Sequence, residues 1–332
     1  MTAETDRTSL EVLDFTARDA GTAPAVKHYG EALVEAARRD PRIVCLTADL
    51  TLPTETDLFR DSLPERFHQM GIAEANMIGI AGGLARCGEI PFVHSFCVFA
   101  TRRCYDQIAM QVAYPRANVK IVGVIPGLTT LLGVSHQAID DLALMRALPN
   151  MTVIEPSGSS DVRAAVAAAA AHEGPVYLRL KRADGTEGAA KATSEFQIGG
   201  MQVLRHGADG LVIACGMMVA IALRAAETLA REGMSLTVVD MSTVKPLDPE
   251  IAVLARTVPL VVTAENHSII GGLGSAVAEL LLEEGVNVAF RRVGIGDTFA
   301  EGGSTGYLFE KYGLSERAII DAIKDLRRRG GP

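Results

Sequence analysis

Residues 71–86 read GIAEANMIGIAGGLAR, and this stretch decides the fold of the first half of the chain. Glu74 stands where the helical pattern begins, and the next charged residue is Arg86. A helix that is apolar on every face is expected to be buried. The stretch therefore predicts a buried helix inside a layered α/β fold.

Outward from this helix, short β-branched runs alternate with helical patterns. In the first half, strands are predicted at 43–47, 90–95, 119–124, 152–155 and 176–180, and helices at 26–39, 74–86, 102–113, 138–148 and 159–171. In the second half, strands are predicted at 211–214, 236–240, 260–264 and 289–293, and helices at 219–231, 274–284 and 316–328. This alternation predicts parallel sheets with helices on both faces.

A Gly-, Ala- and Thr-rich stretch at 183–198 has no sustained period and indicates a linker. We therefore predict a polar arm at 1–23, a first domain at 24–190 and a second, smaller domain at 198–330. The predicted fold class is α/β, with two consecutive doubly wound domains.

The composition excludes several classes of protein. The net charge is -8 over 332 residues, and no long basic block precedes the terminal arginines, which argues against a nucleic-acid partner. No apolar run reaches the ~18 residues typical of a membrane span, and the first residues have no apolar core of a signal peptide. Five cysteines without a CxxC pair suit a reducing compartment. These features predict a cytoplasmic protein without a membrane partner.

One glycine pattern imitates a dinucleotide site. Residues 271–274 read GGLG between a predicted strand and a predicted helix, but Val277 holds the place of the third glycine. No Walker lysine is present either. We interpret these glycines as serving a tight turn and close helix packing.

Three other features point to a ligand site. Glu74 is either a helix-terminal carboxylate that interacts with the helix dipole, or a buried carboxylate with a chemical task. Phe96 and Phe99 follow a predicted strand, and they form either a core cluster or a ligand wall. His136 lies on the loop after the next strand, where a catalytic role competes with a structural one. The carboxylates near His136 do not have the spacing of a metal site.

Five segments, taken together, resemble the transketolase family in the branch that includes split transketolases and deoxyxylulose-phosphate synthase. They are LTADL (46–50), GIAEANMIGIAGGLA (71–85), PFVHSFCVFATRRCYDQI (91–108), GVSHQAIDDLALMRALPNMTVIEPS (133–157) and AENHSIIGGLGSAVAE (264–279). They run in family order from about residue 25 to 328. The resemblance implies a pyrimidine-binding domain followed by the family's C-terminal domain.

The resemblance also implies a cofactor, thiamin diphosphate, and residues that bind it. The family glutamate that matches Glu74 accepts a hydrogen bond from the aminopyrimidine ring and activates the cofactor. The residues that match Phe96 and Phe99 line and stack on that ring. Asp49 would lie near the thiazolium, and Arg102 is a further cofactor-binding candidate.

For the substrate, the resemblance implies a pocket histidine at His136, which makes this residue and Glu74 the catalytic candidates. Arg182 matches a family arginine for sugar phosphate, and Lys27 and Arg179 are weaker candidates for the same role. The loop before His136 reads TTLLGVSH and lacks the family's acidic pair, and His94 stands where a small hydroxyl residue is common. His94 is itself a substrate-binding candidate, so the particular sugar stays open.

The family's diphosphate site is missing from this sequence. The motif Gly-Asp-Gly does not occur, and the one Gly-Asp pair, Gly296-Asp297, is followed by Thr298. A partner chain is therefore expected to hold the diphosphate and its Mg²⁺, in an α₂β₂ assembly that transfers a two-carbon ketol unit. Two alternatives are the β subunit of a 2-oxo acid dehydrogenase or acyloin-cleaving E1 enzyme, and a non-catalytic assembly subunit.

Overall fold

The structure, a computed structural model, describes residues 27–181 and 196–329. The predicted arm at 1–23 and most of the predicted linker at 183–198 lie outside the described residues. The predicted boundaries at 190 and 198 therefore stay predictions.

Twelve strands are present in the described residues. They are β1 (Ile43–Thr47), β2 (Phe67–Gln69), β3 (Ile90–Phe96), β4 (Lys120–Val124), β5 (Thr152–Ile154), β6 (Val176–Leu180), β7 (Gln202–Arg205), β8 (Gly210–Ala214), β9 (Leu236–Asp240), β10 (Thr243–Lys245), β11 (Leu260–Ser268) and β12 (Ala289–Ile295). The central strands of both domains were predicted from their β-branched runs. The short strands β2, β7 and β10 were not predicted.

Helices alternate with these strands. They are α1 (His28–Arg39), α2 (Asp57–Ser62), α3 (Glu74–Arg86), α4 (Cys97–Thr101), α5 (Tyr105–Gln107), α6 (Asp141–Ala147), α7 (Ser159–Ala171), α8 (Met218–Arg231), α9 (Glu250–Ala255), α10 (Leu273–Glu283), α11 (Thr305–Lys311) and α12 (Glu316–Arg329). None of the helices in the described ranges has the length and apolar character needed to cross a bilayer.

The strands form two sheets. The first has the order β10-β5-β6-β4-β3-β1-β2, and the second has the order β12-β11-β8-β9-β7. All neighbours are parallel except the edge pairs β10–β5 and β7–β9, which are antiparallel. The predicted fold class, two consecutive α/β domains, is confirmed.

Strand β10 belongs to the second half of the chain but completes the first sheet. Thr243 pairs with Ile154, and Lys245 pairs with Val153. The Lys245 ammonium also donates to the carbonyl of Arg146 at 2.8 Å. The two domains therefore share a sheet edge as well as a packed interface.

Helix α3 has one buried face and one open face. Met77, Ile78 and Ala81 are fully buried against the first sheet. On the opposite side Ile80 is exposed, and a side-chain atom added at Gly83 would meet nothing within 4 Å. The prediction that this helix is buried on every side is wrong for the described chain, since its own residues cover only one face.

The single helix predicted at 102–113 is broken. Residues Arg102–Cys104 form a 3₁₀ turn, and Ile108–Ala113 form a π-helix. The π segment lies close against α3, because a Cβ at Gly82 would stand 2.7 Å from the carbonyl oxygen of Gln111. Irregular helices of this kind often accompany functional sites.

Candidate active site

Glu74, the first residue of α3, lies at the carboxyl edge of the first sheet. Its side chain is 2% exposed. Oε1 accepts a hydrogen bond from Arg103 Nη1 at 2.9 Å and faces Ser95 Oγ at 3.5 Å. Oε2 is buried and has no hydrogen-bond partner among the described residues. The orphaned oxygen favours the reading of Glu74 as a carboxylate with a chemical task over that of a helix-dipole partner.

Phe96 and Phe99 form an aromatic wall beside this carboxylate. Their ring centroids are 5.9 Å apart. Phe96 ends strand β3, so it is buried against the sheet, whereas Phe99 lies on α4 and is only half-buried. Phe96 therefore packs in the core, and Phe99 leaves part of its ring accessible to a ligand.

His136 meets the same wall from the loop that follows β4. Its ring contacts Phe99 edge-on at a centroid distance of 5.1 Å and lies 6.2 Å from Phe96. Partial burial, reinforced by the positive charge of Arg103, holds the pKa of His136 below its ordinary value. The imidazole is therefore neutral at pH 7, with one nitrogen that donates and one that accepts. Its Nδ1 lies 2.9 Å from Ser135 Oγ.

The second domain holds the His136 loop in place. Asn266 accepts from the backbone N–H of Leu128 at 3.1 Å and donates to the carbonyl of Pro126 at 3.1 Å. Gly127 has φ +53°, and a Cβ there would overlap the Asn266 side chain. Gln137 Nε2 donates to the carbonyl of Glu301 at 2.9 Å. The position of His136 thus depends on both domains.

The two adjacent arginines have different partners. Arg102 Nε lies 2.8 Å from both carboxylate oxygens of Asp140, and a terminal nitrogen donates to the carbonyl of Gln137. Arg103 instead reaches Glu74, and its guanidinium carbon lies 4.0 Å from the ring centroid of Phe99. Arg102 thus supports the His136 loop, and its cofactor role stays a prediction. Sequence reasoning missed Arg103, and its only signal was the Arg102-Arg103 pair.

Asp49 and Lys27 lie on neighbouring elements of the first domain. Asp49 follows β1 at the same sheet edge as Glu74, is exposed, has φ +58°, and accepts from Gln69 Nε2 at 3.3 Å. Its predicted contact with the thiazolium is untested. Lys27 precedes α1 and forms an ion pair with Asp57, so its ammonium already has a partner.

His94 does not face a substrate pocket. It is fully buried within β3, where Tyr29 Oη lies 2.6 Å from Nε2 and the carbonyl of Leu46 lies 2.8 Å from Nδ1. Burial lowers the pKa of His94 to about 4, so the ring is neutral. Its substrate-binding role is not supported, because both ring nitrogens are engaged inside the protein.

Arg179 is also placed in the interior. Its side chain is 0% exposed and forms ion pairs with Asp141 and Glu155. A phosphate cannot reach a guanidinium in this position, so the predicted anchor role for Arg179 is not supported. Arg182 lies outside the described residues, and its role stays a prediction.

Two transketolase profiles match the chain in order. The first, transketolase pyrimidine binding domain, covers residues 23–186, and the second, transketolase C-terminal domain, covers residues 199–319. The chain therefore belongs to the transketolase family, whose members depend on thiamin diphosphate. The resemblance seen in the sequence is confirmed.

Two relatives of similar length are named as an enzyme subunit and as a split-gene transketolase. The chain is 47% identical over 304 residues to the 6-deoxy-6-sulfo-D-fructose transketolase subunit SqwH of Clostridium sp. (strain MSTE9), covering 91% of this chain and 94% of that one. A solved split-gene transketolase, described as an inactive β4 tetramer, superposes with a TM-score of 0.82 and 46% identity, covering 90% of this chain and 96% of that one.

Longer relatives match this chain over about half of their own length. The 1-deoxy-D-xylulose-5-phosphate synthase of Desulforudis audaxviator (strain MP104C) is 36% identical, and the match covers 91% of this chain but 48% of the relative. The described chain thus corresponds in length to about half of that enzyme.

Proposed function

We propose that this chain is the pyrimidine-binding and C-terminal subunit of a split transketolase, which moves a two-carbon ketol unit from a ketose donor to an aldose acceptor. The carrying observation is the unpartnered Oε2 atom of Glu74, buried beside the Phe96–Phe99 wall. A buried polar atom without a partner costs free energy, which a ligand donor removes. A flat ring with an N–H donor, such as an aminopyrimidine, fits both the carboxylate and the wall.

In this proposal the site residues of the chain have separate roles. Thiamin diphosphate, when bound, supplies the electron sink for cleavage of a carbon–carbon bond. In this proposal Glu74 accepts the ring N–H and holds the proton in a site of low dielectric, where the hydrogen bond is strengthened. Phe96 and Phe99 orient the ring, and neutral His136 exchanges hydrogen bonds with the donor sugar.

A partner chain is needed for the diphosphate and its Mg²⁺, because this sequence contains no Gly-Asp-Gly motif. The open face of α3 and the π segment suits that partner: Ile72 and Ile80 are exposed, as are Met110 and Tyr114 at 52% and 78%. Exposed apolar patches of this kind mark interfaces. We assign this face to the partner subunit that carries the diphosphate domain, in an α₂β₂ assembly. The match covers 94% of the relative named as a subunit and 96% of the split-gene structure, which supports a two-chain enzyme.

The proposal names the type of reaction but leaves several classes of donor sugar open. Leu131 and Val134 are exposed on the loop before His136, where the family's acidic pair is absent. Relatives named for a sulfo-sugar and for deoxyxylulose phosphate show that similar chains belong to enzymes with different substrates. A donor panel should therefore include phosphorylated, unphosphorylated and sulfonated ketoses, and pyruvate.

The test is reconstitution. The chain is co-expressed with a transketolase-family chain that carries the Gly-Asp-Gly motif, and the donor panel is run with several aldose acceptors. We expect ketol transfer by the pair, and weak or no thiamin diphosphate binding by the isolated chain in calorimetric titration with Mg²⁺. Micromolar binding and turnover by the chain alone would contradict the split-enzyme proposal, and a lipoyl-bearing acyltransferase as partner would favour the oxo-acid alternative.

A cytoplasmic location belongs to the same proposal. All five cysteines are free thiols in the structure. Four of them are buried, and Cys87 is exposed. Free thiols are typical of a reducing compartment.

A further inference from the structure

Arg103 makes two contacts at the centre of the site. Its Nη1 donates to Glu74 Oε1 at 2.9 Å, and its guanidinium lies over the ring of Phe99 at 4.0 Å. The carboxylate is 2% exposed, whereas the Arg103 side chain is 45% exposed. The arginine therefore enters the site from its open side and ends against the buried acid.

A guanidinium in this position has the chemical features of a protonated or amino-substituted heteroaromatic ring. It is planar, it presents N–H donors along its edge, and its face stacks on aromatic rings. A ligand ring that donates to the unpartnered Oε2 of Glu74 and stacks on Phe99 needs the ring face that the Arg103 guanidinium covers. The ligand ring and the guanidinium therefore compete for that face.

We propose that Arg103 is a stand-in for the aminopyrimidine of the cofactor: it fills the ring position in the cofactor-free subunit and is displaced when the cofactor binds, an inference that rests on the proposed function. The stand-in compensates the buried charge of Glu74, which would otherwise be costly. Because Arg103 is partly exposed, its side chain can swing out without movement of α3.

Arg103 differs from a fixed positioning residue in the effects of its removal. Arg103→Ala takes away a competitor, so we expect thiamin diphosphate to bind the assembled pair faster and roughly three- to tenfold more tightly, as for loss of one cation–π and one half-exposed ion-pair contact. The same change leaves Glu74 uncompensated in the cofactor-free chain. We therefore expect the isolated variant to unfold at a lower temperature than the wild type.

The experiment measures association of thiamin diphosphate, with Mg²⁺, to the co-expressed pair by stopped flow and calorimetry, together with thermal unfolding of the isolated chain. Arg60→Ala is the matched control, because it removes an arginine that pairs with the exposed Asp61 outside the site. The double variant Arg103→Ala/Glu74→Gln should recover the unfolding temperature, since the amide carries no charge.

Three results would contradict the inference or the function on which it rests. Slower association or weaker affinity in Arg103→Ala, with wild-type binding intact, would show that Arg103 holds the cofactor in place and would overturn the stand-in. An unchanged association rate would also overturn it, because no competitor would have been removed. Failure of the wild-type pair to bind thiamin diphosphate would instead overturn the proposed function itself.

Discussion

The Nη1 atom of Arg179 lies 2.7 Å from Oε1 of Glu155, and both side chains are buried. Arg179 Nε also lies 2.7 Å from Asp141 Oδ2, and Nη2 donates to the carbonyl oxygens of Ala138 and Asn266. Asn266 belongs to the second domain of this chain. The one guanidinium therefore links the first sheet, α6 and the second domain. The arrangement is a buried charge cluster at the domain interface.

Replacing Arg179 should destabilise the protein. Arg179→Met leaves two buried carboxylates without their cation, and breaking a buried pair in this way typically costs ~3–5 kcal/mol. We expect a loss of that size in the free energy of unfolding, measured by urea denaturation. The matched variant Arg163→Met removes an arginine whose pairs with Glu31 and Glu35 are exposed, and should cost less than ~1 kcal/mol. Equal stability of the two variants would show that the cluster contributes little.

The central helices and strands could be predicted because the spacing of apolar residues and the residue types indicate the same structure in each segment. The bounds of α3 and of β1 were predicted to the residue, since an uncharged helical run and a β-branched run have clear ends. Strand β10 was not, because three residues acquire strand structure only by pairing with β5, which lies about ninety residues earlier. A pairing between distant segments leaves no local signal.

The site was readable in part for a related reason. Glu74 stands out as the lone acid in an apolar helix, whereas Arg102 and Arg103 are adjacent and look alike in the sequence. A 3₁₀ turn at Arg102–Cys104 interrupts the regular helix predicted there, so the sequence does not show which arginine reaches Glu74. For Arg179, a buried parallel strand does not reveal which distant carboxylates neutralise its charge.

Glu74→Gln tests the central assignment. The amide keeps the shape of the side chain but cannot take up the proton, so we expect the assembled enzyme to lose ~10²–10⁴-fold in kcat. Circular dichroism should show an unchanged fold. Glu65→Gln, an exposed acid on the same domain, serves as the control and should retain full turnover. Turnover of Glu74→Gln close to that of the wild type would refute the cofactor-activating role.

His136→Ala separates substrate handling from cofactor binding. We expect ketol transfer to fall by ~10²-fold or more while the calorimetric affinity for thiamin diphosphate stays the same. Since burial is the larger cause that lowers the pKa of His136, the acid limb of kcat/KM in the wild type should lie below the ordinary titration range of histidine. That limb should be missing in the variant. A parallel loss of cofactor affinity would indicate that His136 only supports Phe99.

His94 should make the stability of the chain depend on pH. Burial lowers its folded pKa to about 4 from 6.5, so between these values the unfolded chain binds more protons. Its contribution is therefore complete above about pH 6.5 and is lost as the pH falls toward about 4, at up to ~1.4 kcal/mol per pH unit. Asp240 and Glu265, whose pKa values burial raises to about 7, act in the opposite direction, so the wild-type curve alone is ambiguous. His94→Gln removes only the imidazole. The difference in unfolding free energy between wild type and variant should decrease steadily from pH 7 to pH 5, and a constant difference would mean that His94 has the same pKa in both states.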